Sequence, residues 1–299
     1  MKMNLRNFYK NRNVLVTGGA GFIGSHLVDM LVDLDANVTV LDNLSSGNLE
    51  NLSHLKTINF VHGDICDFNT CINVTKNCKT VFHLAALVSV PESIQDPIKC
   101  NEINVTGTLN LIQAAKENKI EQLIFSSSSA VYGQKNGMLS EEDECCPISP
   151  YGLSKLISEH YCKLFATEVP SICLRYFNVF GARQNPNGQY AGVVAKFSEQ
   201  IKNNHPITIF GDGTQIRDFI GVENVVAANL KLAMLPITEL NGQPVNIASG
   251  KSISILELVD RLKKDHPQFN QKIEFLPARH GDITNSISNI TKLQDLLRC

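Results

Sequence analysis

The stretch Val14-Leu15-Val16-Thr17-Gly18-Gly19-Ala20-Gly21-Phe22-Ile23-Gly24 decides how the chain folds. Its first four residues are typical of a buried strand, and residues 25–31 carry apolar side chains at helical spacing. The glycines therefore form a tight turn between a strand and a helix. Gly18 permits the turn, Gly21 lets a ligand approach the backbone, and Gly24 lets the helix pack closely on the strand.

A second strand supplies an acidic residue at the distance that a dinucleotide site requires. Residues 37–41 are strand-like and end at Asp42, which follows Gly24 by 18 residues. A carboxylate there can accept hydrogen bonds from the ribose hydroxyls of an adenosine, and it repels a 2′-phosphate. No arginine follows Asp42 as far as Gly47 to hold such a phosphate. The sequence therefore predicts a dinucleotide site that takes NAD in preference to NADP.

Strand-like and helix-like segments alternate through the first half of the chain. Further strands are predicted at residues 58–62, 80–84 and 122–126, and a helix at residues 104–116. Alternation of this kind predicts an α/β fold with a doubly wound parallel sheet of the Rossmann type. Ligands of such sheets bind beyond the carboxyl ends of the strands.

The regular alternation of strands and helices ends at about Asn178, where shorter elements and loops rich in Asn, Gly and Pro begin. We therefore expect residues 1–177 to form an NAD-binding domain and residues 178–299 to form a smaller C-terminal lobe that binds substrate. We also expect the chain to return to the first domain around residues 217–235.

Tyr151 and Lys155 stand four residues apart, which places them one turn apart on one face of a helix. Ser149 is a plausible cap for that helix, and Pro150 suits its first position. A tyrosine, whose pKa is ordinarily about 10, can act as a base near neutral pH only if a neighbour stabilises its phenolate. We therefore expect Lys155 to lower the pKa of Tyr151.

Composition and charge exclude several classes of function. The chain has 299 residues, of which 43% are hydrophobic, and it can bury a large core. A net charge of −2 gives no support to nucleic-acid binding. Neither a signal peptide nor an apolar stretch of roughly 18 residues is seen, so we expect a cytoplasmic protein with no membrane partner. The nine cysteines form no paired Cys-x-x-Cys sets, so free thiols and no metal site are predicted.

Ordered motifs along nearly the whole chain resemble those of the extended short-chain dehydrogenase/reductase enzymes that act on nucleotide sugars. Within that family the chain is most similar to the UDP-hexose and UDP-N-acetylhexosamine 4-epimerases. The matching segments are residues 17–26, 63–65, 83–86, 104–108, 126–133, 151–155, 175–181, 210–213 and 217–219.

The resemblance implies a catalytic trio of Tyr151, Lys155 and Ser128. Tyr151, as phenolate, takes the proton of the sugar 4-hydroxyl while hydride passes from C4 to NAD, and hydride then returns to the opposite face of the 4-keto sugar. Ser128 hydrogen-bonds the same oxygen, and Lys155 holds the nicotinamide ribose. Counting back from residues 131–133 selects Ser128 among four successive serines. The alternative is that this serine run merely ends a buried strand.

The resemblance also implies two sets of binding residues. The cofactor contacts are Gly18, Gly21, Phe22, Ile23, Gly24, Asp42, Asn43, Asp64, Ile65, Leu84, Ala85, Ala86, Asn104, Ser126, Tyr151, Lys155 and Tyr176. The substrate contacts are Ser89, Ser128, Tyr151, Asn178, Arg217, Arg279, Asp282 and Ser286. In the alternative interpretation the two arginines are solvated surface charges and Asp282 is a turn residue.

The residues after the serine strand separate the reactions of the family. Nucleotide-sugar 4,6-dehydratases carry Asp-Glu after the Ser/Thr, and UDP-glucuronate decarboxylases carry Thr-Ser-Glu. Ser129-Ala130 stands here instead. Epimerisation needs no added carboxylate, so the resemblance favours a 4-epimerase.

One position bears on the sugar. Aligned on Gly281-Asp282, Ser286 stands where epimerases restricted to glucose and galactose carry a bulky tyrosine. A serine leaves room beside C2 for an N-acetyl group, so we expect UDP-N-acetylglucosamine and UDP-N-acetylgalactosamine as substrates, with tolerance for the plain pair. The alternative is a serine on a solvated loop with no part in selection.

Other functions remain open at this stage. They are a UDP-hexuronate 4-epimerase, a nucleotide-sugar oxidoreductase that releases NADH, and a non-catalytic NAD-binding relative. The helices around residues 104–116 and 151–166 resemble those that pair in the homodimers of the family, which predicts a homodimer.

Overall fold

The computed structural model describes residues 4–135, 137–185, 192–277 and 285–298. The strands in these ranges are β1 (Asn13–Thr17), β2 (Asn37–Asp42), β3 (Asn59–His62), β4 (Thr80–His83), β5 (Gln122–Ser128), β6 (Met138–Leu139), β7 (Ser171–Tyr176), β8 (Asn178–Phe180), β9 (Ile207–Phe210), β10 (Ile216–Gly221), β11 (Asn241–Ile247), β12 (Ser252–Ser254), β13 (Ile273–Leu276) and β14 (Asn285–Ser288). The helices are α1 (Leu5–Tyr9), α2 (Phe22–Asp33), α3 (Phe68–Thr75), α4 (Val90–Gln95), α5 (Pro97–Asn101), α6 (Gly107–Glu117), α7 (Pro150–Leu164), α8 (Val193–Lys202), α9 (Val222–Leu232), α10 (Ile255–Lys264) and α11 (Thr291–Arg298).

A seven-stranded parallel sheet organises the first part of the chain, in the order β11-β7-β5-β4-β1-β2-β3. The strand order reverses between β1 and β4, where Thr17 lies opposite His83. In sheets of this kind ligands bind at that switch point. The predicted α/β fold of the Rossmann type is confirmed, and the predicted strands lie within one or two residues of the observed ones.

Side chains alternate between the two faces of this sheet and build a core on each face. Val14 and Val16 of β1 pack in one cluster with α2 and α9, whereas Leu15 packs in the other with α3 and α6. This period-2 alternation explains why an uninterrupted apolar run forms a central strand that is buried on both faces.

The helix predicted at residues 104–116 begins irregularly. A π-helical turn over Glu102–Thr106 joins α5 to α6. Insertions of this kind often occur at functional sites. The turn contains Asn104, one of the predicted cofactor residues.

The chain crosses to a second sheet and returns. A five-stranded sheet has the order β12-β10-β14-β6, with β8 beside β10, and β9 pairs separately with β13. The segment returning to the first domain, expected around residues 217–235, includes α9, which packs in the core with α2, and it continues to β11 at the sheet edge. No helix in the described part of the chain is long and apolar enough to cross a membrane.

Candidate active site

The glycine turn connects β1 to α2 in the way that the sequence predicts. Gly18 has φ +69°, and a Cβ there would lie 2.8 Å from the backbone nitrogen of Ala85. A Cβ at Gly24 would collide with the carbonyl oxygen of Gly18, whereas one at Gly21 would lie 3.2 Å from the same oxygen. The three glycines thus permit the turn, the close approach of the loop after β4 and the packing of α2, in a cradle that fits a pyrophosphate.

Asp42 lies at the end of β2, beside this cradle, and is buried. Its carboxylate accepts hydrogen bonds from the backbone N–H of Ala20 at 2.9 Å and of Leu44 at 2.8 Å. Each carboxylate oxygen has two lone pairs, so acceptor capacity remains for ribose hydroxyls. The residue therefore ties the glycine turn to β2 and fits the role predicted for it.

The loop after β3 supplies a second polar cluster at the same sheet edge. Asn43 donates to Asp64 at 2.7 Å, and the backbone N–H of Cys66 donates to Asp64 at 2.8 Å. Burial acts to raise the pKa of Asp64, but these hydrogen bonds outweigh it and lower the pKa. Ile65 is buried beside Gly107, where it packs the cluster against α6.

The loop after β4, which contains Leu84, Ala85 and Ala86, is fixed from both sides. The backbone N–H of Leu84 donates to the Thr17 carbonyl at 3.1 Å, and that of Ala85 donates to the Thr17 hydroxyl at 3.2 Å. Asn104 bonds both backbone groups of Leu87, at 2.7 and 2.9 Å, and also the Ser154 hydroxyl at 3.0 Å. Asn104 therefore links this loop to α7.

Helix α7 begins as predicted, with the Ser149 hydroxyl accepting from the backbone N–H of Gly152 and with Pro150 in the first turn. The backbone N–H of Tyr151 donates to the hydroxyl of Ser93, 3.1 Å away. Ser93 is fully buried in α4, and sequence reasoning missed it because nothing in the local pattern marks this serine. The start of α7 is thus held in place by a side chain nearly sixty residues away.

The four residues Ser126, Ser128, Tyr151 and Lys155 come together at the end of β5. The ammonium of Lys155 donates to the carbonyl oxygen of Ser126 at 2.8 Å and lies 4.9 Å from the centre of the Phe125 ring. The Ser128 side chain faces the Tyr151 phenol and acts to lower its pKa. One tyrosine, one serine hydroxyl and one buried ammonium therefore converge at the sheet edge that also carries the glycine turn.

The pKa values at this site differ in part from expectation. Burial raises the pKa of Tyr151, and the hydrogen bond with Ser128 offsets only part of that rise. The prediction that Lys155 lowers the pKa of Tyr151 is therefore wrong for this structure, because burial dominates and Lys155 is not among the groups that shift this pKa. Burial lowers the pKa of Lys155 to about 8, so its ammonium is easier to deprotonate than that of an ordinary lysine.

Tyr176, which follows as the last residue of β7, turns its hydroxyl into the protein. The hydroxyl donates to Asn229 at 2.8 Å and is bonded to the Ser126 hydroxyl at 2.9 Å. Burial raises the pKa of Tyr176 to about 12, so the phenol stays neutral. In this structure Tyr176 braces Ser126 against α9.

The predicted substrate residues lie on separate elements. Ser89 caps α4 by accepting from the backbone N–H of Glu92 at 3.1 Å. Asn178 of β8 donates to the backbone oxygen of Asp218 at 2.9 Å. Arg217 of β10 and Ser286 of β14 are directly paired in register, so the structure brings these two predicted residues together. Arg279 and Asp282 lie outside the described residues.

Asp218 is a further residue that sequence reasoning missed. Its buried carboxylate accepts from the backbone N–H and the hydroxyl of Ser249 at 2.8 and 2.7 Å, and from the hydroxyl of Ser288 at 2.5 Å. The neighbouring Arg217 and Phe219 drew attention to the segment, but only the fold reveals these distant partners.

No group of three or more His, Cys, Asp or Glu side chains suited to a metal ion occurs among the described residues. The eight cysteines in these ranges are free thiols.

A parallel sheet with a glycine turn at its switch point and a Ser-Tyr-Lys cluster at the same edge defines an extended short-chain dehydrogenase/reductase. The chain belongs to the NAD dependent epimerase/dehydratase family, whose model matches residues 14–248. Both the family and the cofactor NAD predicted from the sequence are thereby confirmed.

Comparison with known proteins points in the same direction. The chain is 39% identical over 288 residues to a putative UDP-glucose 4-epimerase of Methanocaldococcus jannaschii, with 95% of this chain and 92% of that protein covered. It is 41% identical to a UDP-N-acetylglucosamine 4-epimerase from Methanobrevibacter ruminantium, solved in complex with UDP-N-acetylmuramic acid, with a TM-score of 0.89 over 96% of this chain and 92% of that one. It is 37% identical to a UDP-glucose 4-epimerase from Thermotoga maritima, solved with UDP-glucose, with a TM-score of 0.88 over 95% and 91%.

Proposed function

We propose that this chain is a UDP-sugar 4-epimerase that interconverts UDP-N-acetylglucosamine and UDP-N-acetylgalactosamine and also accepts UDP-glucose and UDP-galactose. The convergence of Tyr151, Ser128 and Lys155 beside the glycine turn carries the proposal for the reaction. The two solved relatives named above, one an epimerase of an acetylated sugar and one of a plain sugar, support the substrate class.

The dinucleotide is held by the glycine turn and Asp42, with Asp64, Asn43 and the loop after β4 around it. NAD bound there would supply the acceptor, and afterwards the donor, of the hydride exchanged with C4 of the sugar. The chain itself contributes binding, orientation and the transfer of one proton.

Tyr151 is the proton acceptor for the sugar 4-hydroxyl and later returns the proton. Its raised pKa means that the phenol needs help to ionise, and the Ser128 hydroxyl provides one stabilising hydrogen bond. The Lys155 ammonium, held by the Ser126 carbonyl, provides positive charge one helical turn away. Ser128 also orients the sugar oxygen toward Tyr151.

The nucleotide diphosphate must be bound tightly while the 4-keto sugar rotates within the site to present its opposite face. We assign the diphosphate to Arg217 and Arg279, because a guanidinium forms paired hydrogen bonds with phosphate oxygens. Asn178, Ser89 and Asp282 complete the substrate set.

Epimerisation is favoured over elimination because no carboxylate follows the serine strand. Ser128 leads directly into a 3₁₀ turn over Ser129–Tyr132, where dehydratases carry an acidic pair. A UDP-hexuronate 4-epimerase and a reductase that releases NADH remain the competing reactions, and a non-catalytic NAD-binding protein is the competing class.

Ser286 carries the proposal for the acetylated sugar. It is buried and lies opposite Arg217 in the strand pairing, so it belongs to the packed sheet rather than to a solvated loop. A serine at this position leaves the space that a tyrosine ring would fill.

We also propose a homodimer formed through α7 and the helices beside it. Large apolar side chains are exposed on this side of the molecule, Ile98 at 80%, Leu153 at 48% and Leu164 at 70%. Analytical ultracentrifugation measures the assembly directly, and a monomer at micromolar concentration would contradict this part of the proposal.

The function is tested by incubating the purified protein separately with UDP-N-acetylglucosamine and UDP-glucose and resolving the products by chromatography. We expect the C4 epimer from both, with no net accumulation of NADH. Accumulated NADH would indicate a reductase, and retained NAD without conversion of any UDP-sugar would indicate the non-catalytic class.

Ser286→Tyr tests the substrate assignment, with Ser286→Ala as the matched control that keeps the position small. We expect the tyrosine variant to lose acetylated-sugar turnover by about 10- to 200-fold and to retain UDP-glucose turnover. Unchanged turnover of the acetylated sugar in Ser286→Tyr would overturn the assignment.

A further inference from the structure

A buried ion pair lies one helical turn beyond Lys155 on α7. The carboxylate of Glu159 accepts from the Nε and Nη2 atoms of Arg175 at 2.9 and 2.7 Å, and both side chains are buried. The same carboxylate accepts from the hydroxyl of Ser127 at 2.5 Å. The guanidinium of Arg175 also lies over the ring of Tyr132, 4.7 Å from its centre.

Ser127 stands between the two residues of β5 that hold the catalytic side chains. The carbonyl of Ser126 accepts from the ammonium of Lys155, and the Ser128 side chain faces the Tyr151 phenol and acts to lower its pKa. Because Tyr151, Lys155 and Glu159 follow one another at four-residue intervals on α7, the helix contacts the end of β5 at three successive turns. Glu159 is the third of these contacts.

A gain in core stability does not explain why the Glu159–Arg175 ion pair is buried. Burying two charges is costly, and apolar side chains of similar volume generally stabilise a core at least as well. A bidentate pair of carboxylate and guanidinium instead fixes the position and the orientation of the two side chains relative to each other.

We propose that Glu159, held by Arg175 and Ser127, is a positioning residue that locks α7 onto the end of β5 and so keeps Tyr151 on Ser128 and Lys155 on Ser126. This inference rests on the proposed function, since it concerns the same catalytic trio. Glu159 itself does not touch substrate or cofactor. It acts through the two residues that precede it on the helix face.

Glu159 also affects the charge of Lys155. The titratable groups that face this ammonium are His83 of β4, Cys100 of α5, and Cys162 and Glu159 of α7, with Arg175 of β7 behind Glu159. Burial lowers the pKa of Lys155 to about 8, and the Glu159 carboxylate raises it against that effect. His83 is neutral near pH 7, because burial lowers its pKa to about 3. Loss of the Glu159 charge therefore lowers the pKa of Lys155.

Ser127→Ala is the main test, because it removes the link to β5 and keeps the ion pair. We expect kcat to fall on the order of tenfold with KM and bound NAD unchanged, since misplaced reacting groups slow chemistry without weakening binding. Ser127→Thr, which restores a hydroxyl, should recover most of the activity. Ser171→Ala is the matched control: Ser171 is a buried serine of β7 that donates to the backbone carbonyl of Cys162 on the same helix rather than to a residue of the trio or to Glu159.

Two pH measurements separate positioning from simple loss of stability. The titration of Tyr151 is read from tyrosinate absorbance, as the difference between each protein and the same protein carrying Tyr151→Phe. The pKa of Tyr151 should rise further in Ser127→Ala, because the Ser128 side chain that acts to lower it is displaced, and should stay unchanged in Ser171→Ala. In Glu159→Gln the alkaline limit of activity should move to lower pH.

A Ser127→Ala protein with wild-type kcat and an unchanged Tyr151 titration would overturn the proposal, as would equal effects of Ser127→Ala and Ser171→Ala. If Glu159→Gln fails to fold, the three serine variants still decide the question. If the wild-type protein epimerises nothing, the proposed function fails, whereas the Tyr151 titration still tests the positioning role.

Discussion

Two buried aspartates show how differently the two halves of the molecule are built. The first half is formed around the seven-stranded sheet, and the second half around the five-stranded sheet. Asp42, in the first half, accepts from the backbone N–H groups of Ala20 and Leu44, within a segment of 25 residues. Asp218, on β10 of the second half, accepts from Ser249 and Ser288, and its own backbone oxygen accepts from Asn178. One aspartate completes a local turn, and the other joins strands that are far apart in sequence.

Substitutions in the two halves should therefore act independently of each other. The turn around Asp42 in the first half is held by backbone N–H groups, which a side-chain substitution elsewhere leaves intact. In the second half, β8, β10 and β14 pair through the main chain, and the side chains of Asn178, Asp218 and Ser288 add further links between these strands. We therefore expect substitutions in the first half to affect the cofactor or the chemistry, and substitutions in the second to affect the affinity for the sugar nucleotide.

Tyr151→Phe is expected to have the largest effect. Because Tyr151 belongs to the first half, the substitution should affect the chemistry and not the affinity for the sugar nucleotide. Removing the proton acceptor should lower kcat by about 10² to 10⁴-fold. Bound NAD and the KM for UDP-sugar should change little, since the ring and its packing are kept. Steady-state kinetics with product chromatography, together with release of NAD on denaturation, measure all three quantities. Turnover at the wild-type rate would remove Tyr151 from its assigned role.

Gly24→Ala and Gly21→Ala are the next pair, and they separate folding from cofactor binding within the first half. A Cβ at Gly24 collides with the Gly18 carbonyl, which is backbone and cannot move without disturbing the turn. We expect a destabilisation of about 2 kcal/mol or more, as for other overpacked sites, with loss of NAD. At Gly21 the Cβ meets that oxygen at 3.2 Å, so folding should survive while NAD binding weakens.

Thermal unfolding and NAD content measured on both variants give the outcome. If Gly24→Ala unfolds at the wild-type temperature, the close packing of α2 on β1 does not depend on this glycine. If both variants lose stability equally, the two roles are not separable.

The first half of the fold could be predicted because its signals are contiguous. A strand, three glycines and a helix lie within residues 14–31, and Asp42 ends the next strand. The helical start at Ser149 and Pro150 was equally readable, since a cap acts on residues two or three positions away. Here the sequence pattern and the contacts extend over the same distance.

The missed residues have partners that sequence spacing does not reveal. Ser93 holds the backbone N–H of Tyr151 across 58 residues, and Glu159 pairs with Arg175 and Ser127 from two different strands. The net rise of the Tyr151 pKa could not be foreseen either, because it follows from burial, which the spacing of two residues does not report. These features depend on how α7 packs on the sheet.

Ser288→Ala should have the smallest effect and gives the most direct test of the comparison. It removes one hydrogen bond to the carboxylate of Asp218, a loss of about 1 kcal/mol, while Ser249 still holds that carboxylate. Ser286 and Ser288 are two residues apart on β14, so their side chains lie on the same face of the strand. Loss of the Ser288 hydrogen bond should therefore displace Ser286, the residue assigned to sugar selection. We expect the KM for UDP-sugar to rise about fivefold with kcat and bound NAD unchanged.

Ser171→Ala provides the control from the other half, because it also removes one buried serine hydrogen bond. Its KM should stay at the wild-type value if substrate affinity depends on the second half alone. An equal rise of KM in both variants would mean that the halves are mechanically coupled. In that case the two halves would not respond independently, since loss of a hydrogen bond between β7 and α7 would reach the residues assigned to the sugar through the core that α9 shares with the sheet.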